Sequence, residues 1–331
     1  MALEVELDKK KLEYTNEDGQ KVRVDVDQDL TEKEEEAFES NHYANLAEEL
    51  ENQEVLNIGK SLIRAYEDDK ASRKDWEDQY SKGLKMLGVV VEDRQDPFPG
   101  ASGVHHPLMS EAATQFQARA ISEMFPAGGP VKTQIVGKQS DKKLEQAQRV
   151  QDFMNYQVTN QITDYFNELD QMLFYLALAG SAFKKIYFDN TLDRICSKFV
   201  PADQFVISYE NTDLETAERY TQVMKLTTNE IKRRQVEGFY RDVPVTQNQG
   251  GQNSSDLVQS TIEKLEGMST SMSDKIHTIL EIHADIDLGE DESGLALPYI
   301  VTVDYESGQT LAIRRNWKED DPLKRKRTYF I

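Results

Sequence analysis

The histidines and aspartates are the side chains whose spacing could bind a metal ion. His283, Asp285 and Asp287 alternate along one predicted strand, so all three point to the same face and could offer nitrogen and oxygen ligands. The same alternation is typical of the solvent face of a half-buried strand, and we favour that interpretation. His105 and His106 are adjacent, so in an extended chain they point to opposite sides and cannot chelate one ion together. We interpret that pair as a loop anchor and predict no metal ligands and no cofactor.

A basic run and a single cysteine are the other chemical candidates. Lys324–Arg327 is a compact cationic stretch in an acidic protein and could meet phosphate or an acidic partner, although the solvated end of a strand is the favoured interpretation. Cys196 is the only cysteine, which excludes an intrachain disulfide, and we expect a buried, inert thiol. The sequence contains no GxxxxGK[ST], GxGxxG, GxSxG or HExxH motif. No catalytic residues can be assigned, so the sequence predicts a protein that is not an enzyme.

Charge and length limit the kinds of partner. The chain has 331 residues, enough for two ordinary domains or one elongated domain with arms, and a formal net charge of −21. The first sixty residues hold 7 Lys and Arg against 18 Asp and Glu, a net charge of −11. Such an acidic surface repels phosphate backbones, so tight non-specific binding of nucleic acid is not expected. No apolar run approaches the roughly 18 residues of a membrane span, so we predict no membrane anchor.

The elements that would position these residues divide the chain into five segments. Helical patterns precede strand-like alternation, which predicts an α+β fold with segregated elements, long amphipathic helices followed by small antiparallel sheets. The segments are an acidic arm with a favoured hairpin (1–40), a mainly helical region (41–180), a small β unit plus helix (181–245), a flexible linker or loop (246–275) and an antiparallel β meander with one wet face (276–331).

The helical segment is predicted from apolar residues that recur every third or fourth position. Pro97–Pro107 holds prolines and glycines that forbid a regular helix, and Pro107 is well placed to begin one. From there an amphipathic helix packed against another surface is predicted from Leu108, Ala112, Phe116, Ala120 and Met124. A second helix begins near Ser140, with one face formed by Leu144, Ala147, Val150, Met154 and Val158. The densest apolar stretch, Phe166–Leu178, is expected to be core.

Four sets of short stretches carry a likeness to a known family. They are Asn45–Glu48 with Asp68–Glu77, Pro97–Ser102 through Met124–Pro126, Leu178–Lys185, and Phe199–Asp203 with Thr212–Arg219. In their order and spacing the chain resembles the portal proteins of tailed bacteriophages, particularly the large portals of short-tailed phages. The likeness covers most of the chain after the first forty residues.

The resemblance implies a structural subunit of a ring, usually of twelve copies, at one vertex of the capsid. Double-stranded DNA passes through such a ring during packaging and ejection without tight specific binding. The ring sits in the major capsid protein shell, docks the terminase motor and later holds head-tail adaptor or tail proteins. The family has no catalytic residues to carry over. The implied location is the virion, after synthesis in the host cytoplasm.

One departure from the family narrows this expectation. Portal proteins are about twice this long, and their stem, clip and crown lie mainly downstream of a position equivalent to Ile331. The resemblance therefore implies that this chain supplies mostly the wing, with its meander leading toward a missing stem and clip. Channel-lining and terminase-contact residues cannot be assigned within it.

Two other functions stay open from the sequence. One is a capsid-associated scaffold or adaptor, in which the acidic arm carries the binding. The other is a metal-dependent enzyme that uses His283, Asp285 and Asp287.

Overall fold

The computed structural model describes residues 11–15, 21–25, 42–87, 98, 107–189, 192–245, 276–289 and 294–331. The chain divides into two compact units, Met1–Ala44 and Asn45–Ile331. In the first unit, strands β1 (Lys11–Thr15) and β2 (Lys21–Asp25) pair antiparallel. The alternation predicted a hairpin of Leu3–Leu7 with Val22–Val26; the second strand is found there, but its partner is Lys11–Thr15, and Leu3–Leu7 lies outside the described residues. The predictions for His105–His106, for most of the proline and glycine loop before them and for the linker 246–275 lie outside the described residues.

A five-stranded antiparallel sheet is the centre of the second unit. The strands are adjacent in chain order: β5 (Phe205–Ile207), β6 (Arg219–Thr227), β7 (Ile276–Ile286), β8 (Leu297–Asp304) and β9 (Thr310–Arg315). Nearly every residue of β8 is buried, because both faces of the sheet are covered. A strand that is buried on both faces has no clear polar alternation in its sequence.

Helix α1 (Asn52–Ser72) covers the first face of the sheet. It buries Val55, Leu62 and Tyr66, whose spacing places them on one side of the helix, against Leu280, Ile282 and other β7 and β8 side chains. Gly59 permits the close approach, because a Cβ atom there would lie 2.5 Å from Thr310 Oγ1. That hydroxyl instead donates to the carbonyl oxygen of Val55 at 2.9 Å.

The second face is covered by several short elements. Helix α6 (Thr228–Val236) packs through Ile231 on β7 and β9. It begins with a capping box between Thr227 and Glu230. A hairpin of β3 (Phe183–Asp189) and β4 (Arg194–Val200) precedes β5 in sequence, and residues 329–331 pair with β3 as a short third strand.

Four further helices lie between the sheet elements in sequence. They are α2 (Lys74–Met86), α3 (Leu108–Met124), α4 (Asp141–Tyr156) and α5 (Tyr165–Ala179). A π-helical turn at Gln157–Gln161 follows α4, and Gly180 ends α5 with a left-handed φ of 77°. Helix α5 buries Leu169, Leu173 and Ala179, but the largest core cluster lies between the sheet and α1 instead. The expectation that Phe166–Leu178 is core is confirmed at Leu169 and Leu173 but not at Phe166, which is exposed.

The fold is thus a mixture of helices and antiparallel sheets, compatible with α+β. Within the described ranges, no helix combines the length and the apolar character needed to cross a bilayer.

Candidate functional site

Arg73, between α1 and α2, is a buried cation that joins distant parts of the chain. It is 7% exposed, and its guanidinium donates to the carbonyl oxygens of Ala202 at 2.9 Å, Phe205 at 2.7 Å and Asp203 at 2.8 Å. Its Nε donates to Glu77 Oε1 at 2.9 Å. A planar guanidinium with five donors suits this role, because it satisfies several buried carbonyls at once.

A second ion pair fixes the same junction. Arg219, at the start of β6, donates through Nε and Nη2 to the two carboxylate oxygens of Asp69, at 2.7 and 3.0 Å. The hydrogen bonds that Arg219 donates to Asp69 raise the pKa of the guanidinium, so it stays charged. The indole of Trp76 donates to the carbonyl oxygen of Ala179 at 3.2 Å. Stretches 68–77, 178–185, 199–203 and 212–219, which carry the family resemblance, are therefore joined by hydrogen bonds and packing.

Helices α3 and α4 expose a set of bulky apolar side chains, which we call the helical face. Its members on α3 and α4 are Leu108, Met109, Phe116, Met124, Leu144, Val150, Phe153, Met154 and Tyr156. Helix α4 buries no residue at all, and Phe153 is 57% exposed. The prediction that Leu108, Phe116 and Met124 pack against another surface is not met within the described chain.

Small and polar side chains hold these two helices in place instead. Helix α3 buries Ala113, and Gln117 Nε2 donates to the carbonyl oxygen of Asp170 in α5 at 3.2 Å. On α4, Asn155 accepts from the amide of Val131 at 2.9 Å and donates to its carbonyl at 3.1 Å. The half-buried side of α4 is thus polar around Asn155, and its exposed residues are both charged and apolar, so bulky apolar side chains remain in contact with solvent. Apolar surface of this kind is typical of a site that binds a partner.

Neither a protein-family model nor a curated protein sequence matches this chain. Its function must therefore be argued from the residues and their geometry.

A charged cluster lies buried between β3 and the second face of the sheet. Lys185 Nζ contacts both carboxylate oxygens of Glu281, at 2.5 and 2.7 Å, and Gln222 Oε1 at 2.9 Å. Glu281 Oε1 also lies 3.0 Å from His283 Nε2, and the His283 ring stacks on Tyr220 with centroids 4.8 Å apart. The strand register explains this grouping, because Glu281 lies opposite Gln222 and His283 opposite Tyr220.

Burial sets the protonation states in this cluster. Desolvation lowers the pKa of His283 and outweighs the opposing effect of Glu281, so the imidazole is held neutral. The ammonium of Lys185 and the hydrogen bond from His283 hold the pKa of Glu281 far below its ordinary range, although burial opposes them. The cluster is therefore a carboxylate and an ammonium beside a neutral imidazole.

The prediction of a wet face for β7 is wrong at Glu281 and His283, although Asp285 on the same face is exposed. His283 is 0% exposed, because β3 and residues 329–331 cover it, and Glu281 lies in the same buried layer. His283, Asp285 and Asp287 are not brought together as ligands, and the described residues contain no group of three or more side chains suited to hold a metal ion. Asp287 accepts instead from the amide of Gly289 at 2.9 Å.

The remaining sequence candidates are located as follows. Cys196 is buried, as expected. Within Lys324–Arg327, Arg325 is exposed and pairs with Asp321 at 3.0 Å. The interpretation as a solvated strand end fails at Lys326, which is half-buried, donates to the carbonyl oxygen of Ala217 at 3.2 Å and lies 4.6 Å above the Tyr220 ring. Sequence reasoning missed Lys185 and Glu281, since alternation marks a polar face but not what covers it.

Proposed function

We propose that this chain is the wing part of a structural subunit of a tailed-phage portal ring, located at one vertex of the capsid. The ring would serve as a conduit for genome packaging and ejection, and the role of this chain is structural rather than catalytic. The observation that carries the proposal is the helical face, which presents apolar side chains that the described residues leave uncovered.

A second copy of the chain is the occupant that fits the helical face best. A ring subunit meets each neighbour through two different surfaces, so an apolar face on one side of every copy is covered once the ring closes. The hydrogen bonds of Asn155 and Thr133 also support this reading, because they hold α4 in place while its bulky apolar side chains remain exposed.

The junction around Arg73 supports the family resemblance independently. Stretches from three of the four sets that resemble portal proteins meet there through buried or half-buried hydrogen bonds, over sequence separations of more than a hundred residues. A chance likeness between short stretches gives no reason for them to be in contact. Residues in contact constrain one another, so a shared architecture accounts for both their sequence and their spacing.

The acidic charge suits the DNA that would pass through such a ring. A net charge of −21 disfavours tight binding of a phosphate backbone, which a conduit must avoid. The terminase, the major capsid protein and head-tail adaptor or tail proteins are the other proposed partners. They follow from the resemblance, and their contact residues are not assigned.

Native mass spectrometry of the complete gene product tests the proposal. We expect a closed ring of identical subunits, and Val150→Ser with Phe153→Ser should reduce the particle to smaller species. The matched control is Val236→Ser on α6, which changes an equally apolar, exposed residue outside the helical face. A strictly monomeric particle at micromolar concentration, or equal effects of the two changes, would contradict the proposal.

Deleting residues 1–40 separates the ring from the adaptor hypothesis. Ring assembly survives the deletion if the body makes the contacts. Loss of assembly without loss of folding would favour an adaptor whose acidic arm carries the binding.

A further inference from the structure

Residues 326–331, here called the C-terminal strap, seal the charged cluster from water. The amides of Lys184 and Ile186 donate to the carbonyls of Ile331 and Tyr329, both at 2.8 Å, and the amide of Ile331 donates to Lys184 at 3.0 Å. Phe330 is 1% exposed and its ring lies 5.4 Å from that of His283, edge to face. Lys326 Nζ also donates to the carbonyl of Ala217 at 3.2 Å, and the amide of Arg327 donates to that of Asn316 at 2.9 Å. These few hydrogen bonds and one buried ring are a small attachment for a terminal segment, so the strap can open without unfolding the sheet.

The hydrogen bonds of His283 determine which protonation state of its imidazole is compatible with the closed conformation of the strap. Glu281 is a carboxylate and can only accept, so His283 Nε2 must carry the proton of the hydrogen bond between them. Neutral His283 therefore has a bare lone pair on Nδ1, and that buried atom has no hydrogen-bond partner among the described residues. An imidazolium would place an N–H there with no acceptor, which is costly in a buried site.

The other charges around the ring do not remove this cost. The titratable groups that face His283 or its neighbours are Lys185 on β3, Tyr220 on β6, Glu281 and Asp285 on β7, and Lys326 and Tyr329 in the strap. Glu281 favours the imidazolium, but it is already paired with Lys185. Lys185 and Lys326 both oppose a further positive charge. Ile300, opposite His283 on β8, is apolar.

We propose that the strap is an acid-sensitive cover, which protonation of His283 releases from β3 and the sheet. The proton binds Nδ1, and the new N–H finds water only when Phe330 leaves the ring. No covalent bond changes, and the step reverses when the pH is raised. This inference does not depend on the proposed portal function, because it concerns the isolated chain.

The size of the effect follows from linkage. The closed strap holds His283 neutral, whereas the open strap allows it the ordinary pKa of about 6.5. The opening constant should therefore rise about tenfold between pH 7.5 and pH 5.5. Glu281 stays ionised over this range in the closed form, because its pKa is lowered. Asp285, whose burial raises its pKa, is the carboxylate that must be controlled for.

Hydrogen exchange measured by NMR tests the proposal, after correction for the intrinsic pH dependence of exchange. The amides of Lys184, Ile186 and Ile331 should lose about tenfold in protection at pH 5.5, while amides of the β8–β9 pair stay unchanged. In His283→Gln, which keeps a donor toward Glu281 but cannot titrate, the loss should disappear. His277→Gln is the matched control, since His277 is also buried on β7 but contacts Thr228 Oγ1 at 3.1 Å.

Three outcomes would overturn the proposal. The first is unchanged strap protection in the unmodified protein, a result that needs no variant. The second is a loss that persists in His283→Gln, or in His283→Asn if the first variant does not fold. The third is that Asp285→Asn keeps full strap protection at pH 5.5 while the His283 variants still lose it, which would assign the effect to the Asp285 carboxylate.

Discussion

The sheet region and the helical region of the second unit differ in the burial of their apolar residues. On the sheet, Leu280, Ile282 and Val301 are fully buried beneath α1. On α3 and α4, side chains of the same kind, such as Leu108 and Phe153, are exposed. Both regions have apolar residues at regular spacing, so in both the pattern predicts an apolar face that is more stable when it is buried. It does not indicate whether the cover comes from the same chain.

The largest effect is expected at the junction on the sheet side. Arg73→Ala removes the donor to three buried carbonyls and leaves Glu77 buried without its partner. We expect the free energy of unfolding to fall by about 3–5 kcal/mol. Arg149→Ala, which removes an exposed arginine from α4, should change it by less than about 0.5 kcal/mol. Urea denaturation of both variants measures the difference, and similar losses would mean that the two regions do not differ.

Two leucine substitutions, one in the sheet region and one on the helical face, compare the two regions for apolar residues alone. Leu280→Ala leaves a cavity between β7 and α1 and should cost about 2–5 kcal/mol. Leu144→Ala deletes the same atoms from the helical face, where water already reaches them, and should cost under about 1 kcal/mol in the monomer. The shift of the urea midpoint at constant slope reports both values. Equal shifts would show that the helical face is buried in the folded monomer.

The side chain of Asn45 pairs with backbone groups of β9 at the edge of the sheet. Asn45 Oδ1 accepts from the amide of Ile313 at 2.9 Å, and its Nδ2 donates to the carbonyl of Leu311 at 3.1 Å, in place of a sixth strand. Asn45→Ala leaves the amide of Ile313 without this acceptor, whereas the carbonyl of Leu311 keeps the hydrogen bond from the amide of Arg241 at 2.8 Å, and the change should cost about 1–3 kcal/mol. Asn57→Ala, on the exposed side of α1, is the control. Faster exchange of the Ile313 amide should accompany the loss, and unchanged exchange would show that other groups protect this edge.

The charged cluster makes stability depend on pH. The folded pKa values of His283 and Glu281 are both lowered, so each contributes stability that is complete above its unfolded pKa and is lost as the pH falls through its folded pKa. Stability should therefore fall below about pH 6.5 through His283, and again below about pH 4.3 through Glu281, each by at most about 1.4 kcal/mol per pH unit. Urea midpoints from pH 7.5 to pH 4 measure this. A flat profile in the unmodified protein would contradict it.

Much of the fold could be predicted from the sequence, because its local signals are strong. Ser140 begins α4, Gly180 ends α5, and the Thr227–Glu230 capping box begins α6, as each residue type favours. The failures share one cause. Whether β7 has a wet face depends on residues 183–189 and 329–331, which are distant in sequence. Helices α3 and α4 are held through the small Ala113 and the polar Gln117 and Asn155, while their bulky apolar residues stay exposed.

The site residues were harder to predict for the same reason. Alternation identified His283, but its partners Lys185 and Lys326 lie on other segments, and no local pattern marks them as buried. Arg73 lies among charged residues of ordinary helical sequence, and its three carbonyl partners are more than a hundred residues away. The resemblance to portal proteins included Arg73 in a matched stretch, although it assigned the residue no role.

The central claim is that the helical face is covered by a second copy, and particle mass tests it most directly. Native mass spectrometry should give a closed ring for the complete gene product and smaller species for Val150→Ser with Phe153→Ser. The folding stability of that variant should stay within about 0.5 kcal/mol of the unmodified protein. A ring that persists unchanged in this variant, or a monomer before any change is made, would contradict the account.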